Sequence, residues 1–132
     1  IFHHETRAGE GAGYKLEAVI RVLLDLGRAQ ESGMALSSRA LAKHEAHIEA
    51  LLHEMQEQNL VQRTENNRWM LGRSLHHLTL YQLYRDMGCQ LPAPGGPGWP
   101  EEAHLAAIYR KANDQLEEAL DTPLSVLMSE GR

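Results

Sequence analysis

The sequence predicts a mainly α-helical domain that carries one small β-hairpin. Three observations point there. Apolar residues recur at spacings of three and four through most of the chain, which is the helical period. A polar turn, Thr64-Glu65-Asn66-Asn67, separates two short runs with hairpin character, Leu60 to Arg63 and Arg68 to Leu71. Aromatic residues make up only 5% of the 132 residues against 42% apolar ones, so the core is built from Leu, Ile, Val, Ala and Met. That composition favours helices over a large sheet. A first helix, a closely coupled helix pair and then a hairpin is the order of a winged helix-turn-helix, here with additional C-terminal helices.

The elements follow in order. Residues 1–13 are polar and glycine-rich without periodicity, and read as a flexible linker or tail. A helix is expected from Tyr14 to about Gln30, with Leu16, Val19, Ile20, Leu23 and Leu24 as its apolar stripe, broken at Ser32-Gly33. Ser37 or Ser38 caps a short helix whose Leu41 faces inward. After a turn near His44 to Ala46, a second helix carries Ile48, Leu51, Leu52 and Met55. It closes at Gln58-Asn59, since Asn tolerates the left-handed conformation that ends helices. The hairpin comes next, with Trp69 packing over the first helix.

Beyond the wing, Thr79 and Gln82 have the spacing of a capping box, and Leu78 and Leu83 that of a hydrophobic staple. The helix they open is expected to end at Gly88. Residues 89–100 hold four prolines and three glycines and form a linker. A last helix spans roughly Glu101 to Leu120, with Leu105, Ile108, Tyr109, Ala112, Leu116 and Leu120 as its stripe. Pro123 stops it, and Leu124 to Met128 adds one apolar turn. The domains are therefore a tail (1–13), a winged-helix core (14–88), a Pro/Gly linker (89–100) and a helical extension (101–132).

Charge restricts the function. The net charge is -5, whereas nucleic-acid binders draw most of their affinity from a basic face. Between Glu45 and Gln58 there is no Lys or Arg, but there are four glutamates: Glu45, Glu49, Glu54 and Glu57. Carboxylates on the helix that would enter the major groove are repelled by phosphate, and only a cytosine contact rewards them. Arg63, Arg68 and Arg73 around the wing, with Trp99 in the linker, are the candidate contacts to nucleic acid or to a partner. Equally, the arginines read as solvated strand residues and Trp99 as a pin holding the linker to the core.

Other chemistry finds little footing. The single cysteine, Cys89, excludes an internal disulfide and a Cys-based zinc site. His44-Glu45-Ala46-His47 falls one residue short of the zinc-protease spacing, and the adjacent pairs His3-His4 and His76-His77 point apart on any regular element. No phosphate cradle or nucleophile elbow is present. The sequence predicts neither enzyme activity nor a catalytic, metal or cofactor site, and no small-molecule ligand is identifiable. No apolar run approaches the roughly 20 residues that span a bilayer. The chain starts with Ile1, and is expected to be a piece of a longer protein.

The stretch from Tyr14 to Arg85 resembles the cytoplasmic C-terminal domain of YihY/BrkB-type inner-membrane proteins, a family once labelled ribonuclease BN. The resembling pieces are VIRVLLDLGRAQ (Val19 to Gln30), LSSRALAKHEAHIEALLHEMQEQNLV (Leu36 to Val61), RTENNRWML (Arg63 to Leu71) and LTLYQLYR (Leu78 to Arg85). The terminal LEEALDTPLSVLM resembles that family's end. MarR-like and Rrf2-like winged helices share the first three pieces. The resemblance implies a multi-helix membrane portion before Ile1 and a position on the cytoplasmic side of the bacterial inner membrane. Its old nuclease label carries no catalytic residue onto this chain. The expected function is a non-catalytic binding or regulatory module whose partner is a protein or a second copy rather than DNA. The alternative is a DNA-binding regulator that uses its wing.

Overall fold

In the computed structural model the backbone is described for residues 2–87, 92 and 94–130, and the side chains for all of these except 2–14, 44, 129 and 130. Six helices and one two-stranded antiparallel sheet make up these residues, and the fold is a winged helix.

Helix α1 runs from Phe2 to Glu31. Its inward face, Ala18, Val19, Val22, Leu23 and Leu26, is the spine of the core. The expected tail over residues 1–13 is corrected here: from Phe2 onward these residues continue the helix. Once a helix is nucleated, each added residue gains a hydrogen bond for one residue fixed, so the packed segment after Tyr14 can propagate backwards. The propagation carries Gly9, Gly11 and Gly13, each costing about 1 kcal/mol relative to Ala. The far end stops at Gly33, which has a φ of 73° and turns the chain so that the Met34 amide donates to the Ala29 carbonyl at 2.9 Å.

Helix α2 (Ser38–Leu41) is capped by Ser37, whose Oγ accepts from the Ala40 amide at 3.2 Å. A 3₁₀ turn, Ala42–His44, follows, and α3 (Ile48–Glu57) buries Ile48, Leu51, Leu52 and Met55. Asn59 closes α3 with a φ of 61°, and the Leu60 amide returns to the Met55 carbonyl at 3.0 Å. Strands β1 (Val61–Arg63) and β2 (Trp69–Leu71) pair in the register Val61 with Leu71, Gln62 with Met70 and Arg63 with Trp69. Leu36 bridges to Trp69 on the other edge of β2. The wing is thus tied to the segment that enters the helix pair.

Trp69 is the largest fully buried side chain. Its β2 lies against α1, and its indole N–H donates to Ser38 Oγ at 2.9 Å. One residue thereby locks wing, α1 and α2 together. At Gly72 a Cβ would stand 2.7 Å from the Asn59 carbonyl oxygen. The wing can close over the end of α3 only because no side chain is there.

Helix α4 (Leu80–Asp86) has the complete capping box between Thr79 and Gln82, and the staple residues Leu78 and Leu83 are buried. Its expected stop at Gly88 lies outside the described residues, as does Cys89. Residue 92 and residues 94–100 form turns without a regular element. Helix α5 runs Ala103–Ala119, and Glu102 caps it instead of sitting in its first turn, its carboxylate accepting from the Leu105 amide at 2.9 Å. Helix α6 (Leu124–Glu130) returns to the core along α1. Leu124 is buried, and its amide donates to the Leu78 carbonyl at 2.9 Å.

Candidate functional site

The helix that would read a groove in a winged-helix DNA binder is α3. Burial of Ile48, Leu51, Leu52 and Met55 fixes its orientation and turns Glu49, His53, Gln56 and Glu57 to solvent. Two of its carboxylates find local cations. Glu54 Oε2 pairs with Lys15 Nζ on α1 at 2.5 Å, and Glu49 lies 3.8 Å from Arg63 Nη2 on the wing. The Glu49–Arg63 pair is exposed and the Glu54–Lys15 pair half-buried at the surface, so neither adds much stability. Their effect is to place acidic groups across the outer face of α3 and to occupy the nearest cations.

The candidate contact arginines do not converge on one surface. Arg63 lies over the Trp69 ring, 4.3 Å from its centroid, and Nη1 donates to the Asn67 side-chain oxygen. Arg68 reaches the Ala35 carbonyl at 3.4 Å. Arg73 turns away from the hairpin tip and donates to Asp86 Oδ2 of α4 at 3.1 Å. Each guanidinium has a partner within the chain, and a phosphate would have to compete for it. Arg39 and Lys43 on the α2 side are exposed, and Lys43 stands 3.7 Å from Asp25.

Trp99 packs against α5. Its ring meets Tyr109 edge-on with centroids 5.9 Å apart, and Arg110 stands 5.5 Å from the Trp99 centroid. The stripe expected along α5 divides in two. Tyr109, Leu116 and Leu120 are half-buried, whereas Leu105 and Ile108 are exposed at 41% and 62%. The inward half centres on Asn113, whose Oδ1 accepts from the Tyr81 hydroxyl at 2.9 Å. That hydroxyl in turn accepts from Arg85 Nε at 2.9 Å. Sequence reasoning missed this anchor. The signal was a polar residue, Asn113, inside an apolar helical stripe, because such a residue is retained on a buried face when it has a hydrogen-bond partner.

A hollow of about 220 Å³ between α1, the loop after the wing and α6 is lined by Glu31, Ser74 and His76 together with Leu71, Leu75 and Met128 among others. Ser74 Oγ accepts from the His76 main-chain amide at 3.2 Å, and no side-chain hydrogen bond joins Ser74 to His76 among the described residues. Among the described residues no group of three His, Cys, Asp or Glu side chains is placed to hold a metal ion. His47, His53, His76 and His77 are exposed, and the His44 side chain lies outside the described residues.

The fold is that of winged-helix regulators. The structure of CymR, the global cysteine regulator of B. subtilis, matches with a TM-score of 0.62 at 20% identity, covering 88% of this chain and 93% of that one. IscR of T. potens matches with a TM-score of 0.63 at 16% identity, covering 92% and 85%. At these identities the likeness is one of fold alone. No protein-family model matches the chain.

In sequence the chain is similar to UPF0761 membrane proteins. It is 35% identical over 111 residues to one from Alkalilimnicola ehrlichii, covering 80% of this chain and 22% of that protein. It is 29% identical over 111 residues to one from Chromohalobacter salexigens, covering 83% and 27%. The chain thus spans about a quarter of the length of the curated relatives it matches. Among the described residues no helix of this chain is long and apolar enough to cross a membrane.

Proposed function

We propose that this chain is a non-catalytic binding or regulatory module of a larger, membrane-embedded protein, a winged-helix scaffold that contacts protein rather than DNA. The observation that carries the reading is the outer face of α3. It presents Glu49 and Glu57 to solvent with no Lys or Arg between Glu45 and Gln58. Arg63, Arg68 and Arg73, meanwhile, are each engaged by a residue of the chain itself. A groove-reading helix needs neutral or cationic side chains, because duplex DNA carries one phosphate charge per roughly 1.7 Å of axis. The similarity to UPF0761 membrane proteins supports the larger context. The YihY/BrkB resemblance supports a place on the cytoplasmic side of the bacterial inner membrane.

The second reading is a DNA-binding regulator that touches DNA mainly through its wing. The fold likeness to CymR, named as a regulator, favours it. A fluorescence-anisotropy titration with duplex DNA in low salt separates the two. The protein-contact reading expects no saturable binding below about 10 μM, weaker than the upper end of ordinary non-specific affinity. Sub-micromolar binding that weakens steeply with added salt overturns it.

A further inference from the structure

The hollow beside α6 has two unlike sides. Its floor is apolar and withdrawn from solvent, with Leu71 and Leu75 buried and Met128 half-buried. Its rim is polar and exposed, with Glu31 from the end of α1 and Ser74 and His76 from the loop after the wing. The three segments that wall it are tied to one another. A Cβ at Gly27 would stand 2.6 Å from Met128 Sδ and 2.8 Å from Leu75 Cδ1, so the bare backbone of α1 lets both neighbours close in. The Ser125 amide of α6 donates to the Leu75 carbonyl at 3.1 Å. The turn at Ser74 is held by the His76 amide on Ser74 Oγ and the His77 amide on the Ser74 carbonyl, each at 3.2 Å. The hollow is therefore formed before anything enters it, as most small-molecule sites are.

We propose that this hollow binds a small primary amine, its apolar body on the leucines and its ammonium at the rim. Size limits the body. A volume of about 220 Å³ equals the liquid volume of about seven waters and lies below the roughly 300 Å³ where drug-sized pockets begin. Fewer than about ten non-hydrogen atoms fit. Chemistry selects the head. A primary ammonium has three donors and no acceptor. The rim offers three kinds of acceptor: the Glu31 carboxylate, the second lone pair of Ser74 Oγ and the His76 imidazole. Among the described residues no Lys or Arg lines the hollow, and Glu31 is its one formally charged residue. A cation is drawn in and a carboxylate turned away. The Met128 thioether favours an aromatic body. Because the ligand touches both α1 and α6, binding holds α6 on the core, and the docking of this helix comes to depend on the amine. The proposal goes beyond the protein-contact reading and holds whether the module's partner is protein or DNA.

Titration of the ¹⁵N-labelled 132-residue chain with benzylamine, benzyl alcohol and benzoate tests this, because the three share a ring and differ in the head. Expected for benzylamine are saturating amide shifts confined to residues 27–31, 71–76 and 124–128. The dissociation constant should be on the order of 1 mM, which is what so small a ligand supports. The alcohol should bind at least fivefold more weakly, and benzoate not at all. Glu31→Gln should erase the preference for amine over alcohol, which a general loosening of the fold would not do. Ser74→Phe, at an exposed position, should plug the hollow and abolish binding of both. At ten times the dissociation constant, hydrogen exchange over residues 124–128 should slow about tenfold. An alcohol as tight as the amine, or a preference that survives Glu31→Gln, overturns the choice of a cation. Shifts scattered over the surface, or none up to about 20 mM, overturn the site. Binding without slower exchange in α6 overturns the coupling. The DNA titration decides the protein-contact reading separately from all of these.

Discussion

Replacing Asn113 by Leu should loosen α5 from the winged core without disturbing that core. The reasoning is local. Asn113 is only 5% exposed, and its Oδ1 accepts the Tyr81 hydroxyl proton at 2.9 Å. Leucine keeps nearly the same volume but accepts nothing, so the hydroxyl loses its acceptor in a half-buried setting. Leaving a buried donor unmet costs about 1–3 kcal/mol. Tyr81→Phe removes the other partner, and also takes from Arg85 Nε the oxygen it donates to. The double variant should therefore cost less than the sum of the singles, with a coupling of about 1 kcal/mol. Urea denaturation of the four proteins gives the cycle, and hydrogen exchange along α5 tells local release from global loss. Faster exchange should be confined to Ala103–Ala119 and the turn after it, with α1 and α3 unchanged. Unchanged α5 exchange in Asn113→Leu, or a coupling near zero, would refute the anchor.

Two further outcomes concern the scaffold. Gly72→Ala should lower the melting temperature by roughly 5–10 °C, because its Cβ would stand 2.7 Å from the Asn59 carbonyl oxygen and overpacking of this kind costs about 1–3 kcal/mol; a change under 2 °C on a calorimetric scan would mean the strand end moves freely. Thr79→Ala removes the oxygen that accepts from the Gln82 amide at 3.1 Å and should cost about 1 kcal/mol in chemical denaturation, whereas an equally stable variant would show that α4 is held by packing alone.

The winged-helix order was legible because each of its parts leaves a local signature. The stripe of α1, the Ser37 cap, the Asn59 closure and the Thr79–Gln82 capping box are all set by residues within a few positions of one another. The start of α1 was not legible. Gly9, Gly11 and Gly13 argue locally against helix, whereas the packed segment downstream supplies the nucleus from which the helix extends. The site was legible in composition but not in geometry. The four glutamates between Glu45 and Gln58 could be counted. That Glu49 faces Arg63, that Glu54 takes Lys15 and that Arg73 turns to Asp86 are contacts between distant segments. Likewise the two faces of α5 share one helical period. Only the position of Tyr81 decides which of them is inward.

The central claim is that the charge on α3 keeps this scaffold off DNA, and a salt series on two proteins tests it most directly. Glu49→Lys with Glu57→Lys reverses both exposed carboxylates and frees Arg63 from its neighbour at 3.8 Å. Anisotropy titrations of the native chain and this double variant against one duplex, between about 50 and 200 mM salt, give the slope of log affinity against log salt. Each phosphate neutralised contributes about -0.9 to that slope. The account predicts no measurable binding by the native chain, and in the variant binding with a slope near -3 from Arg63 and the two new lysines. Native binding as tight and as salt-dependent as the variant's would contradict it.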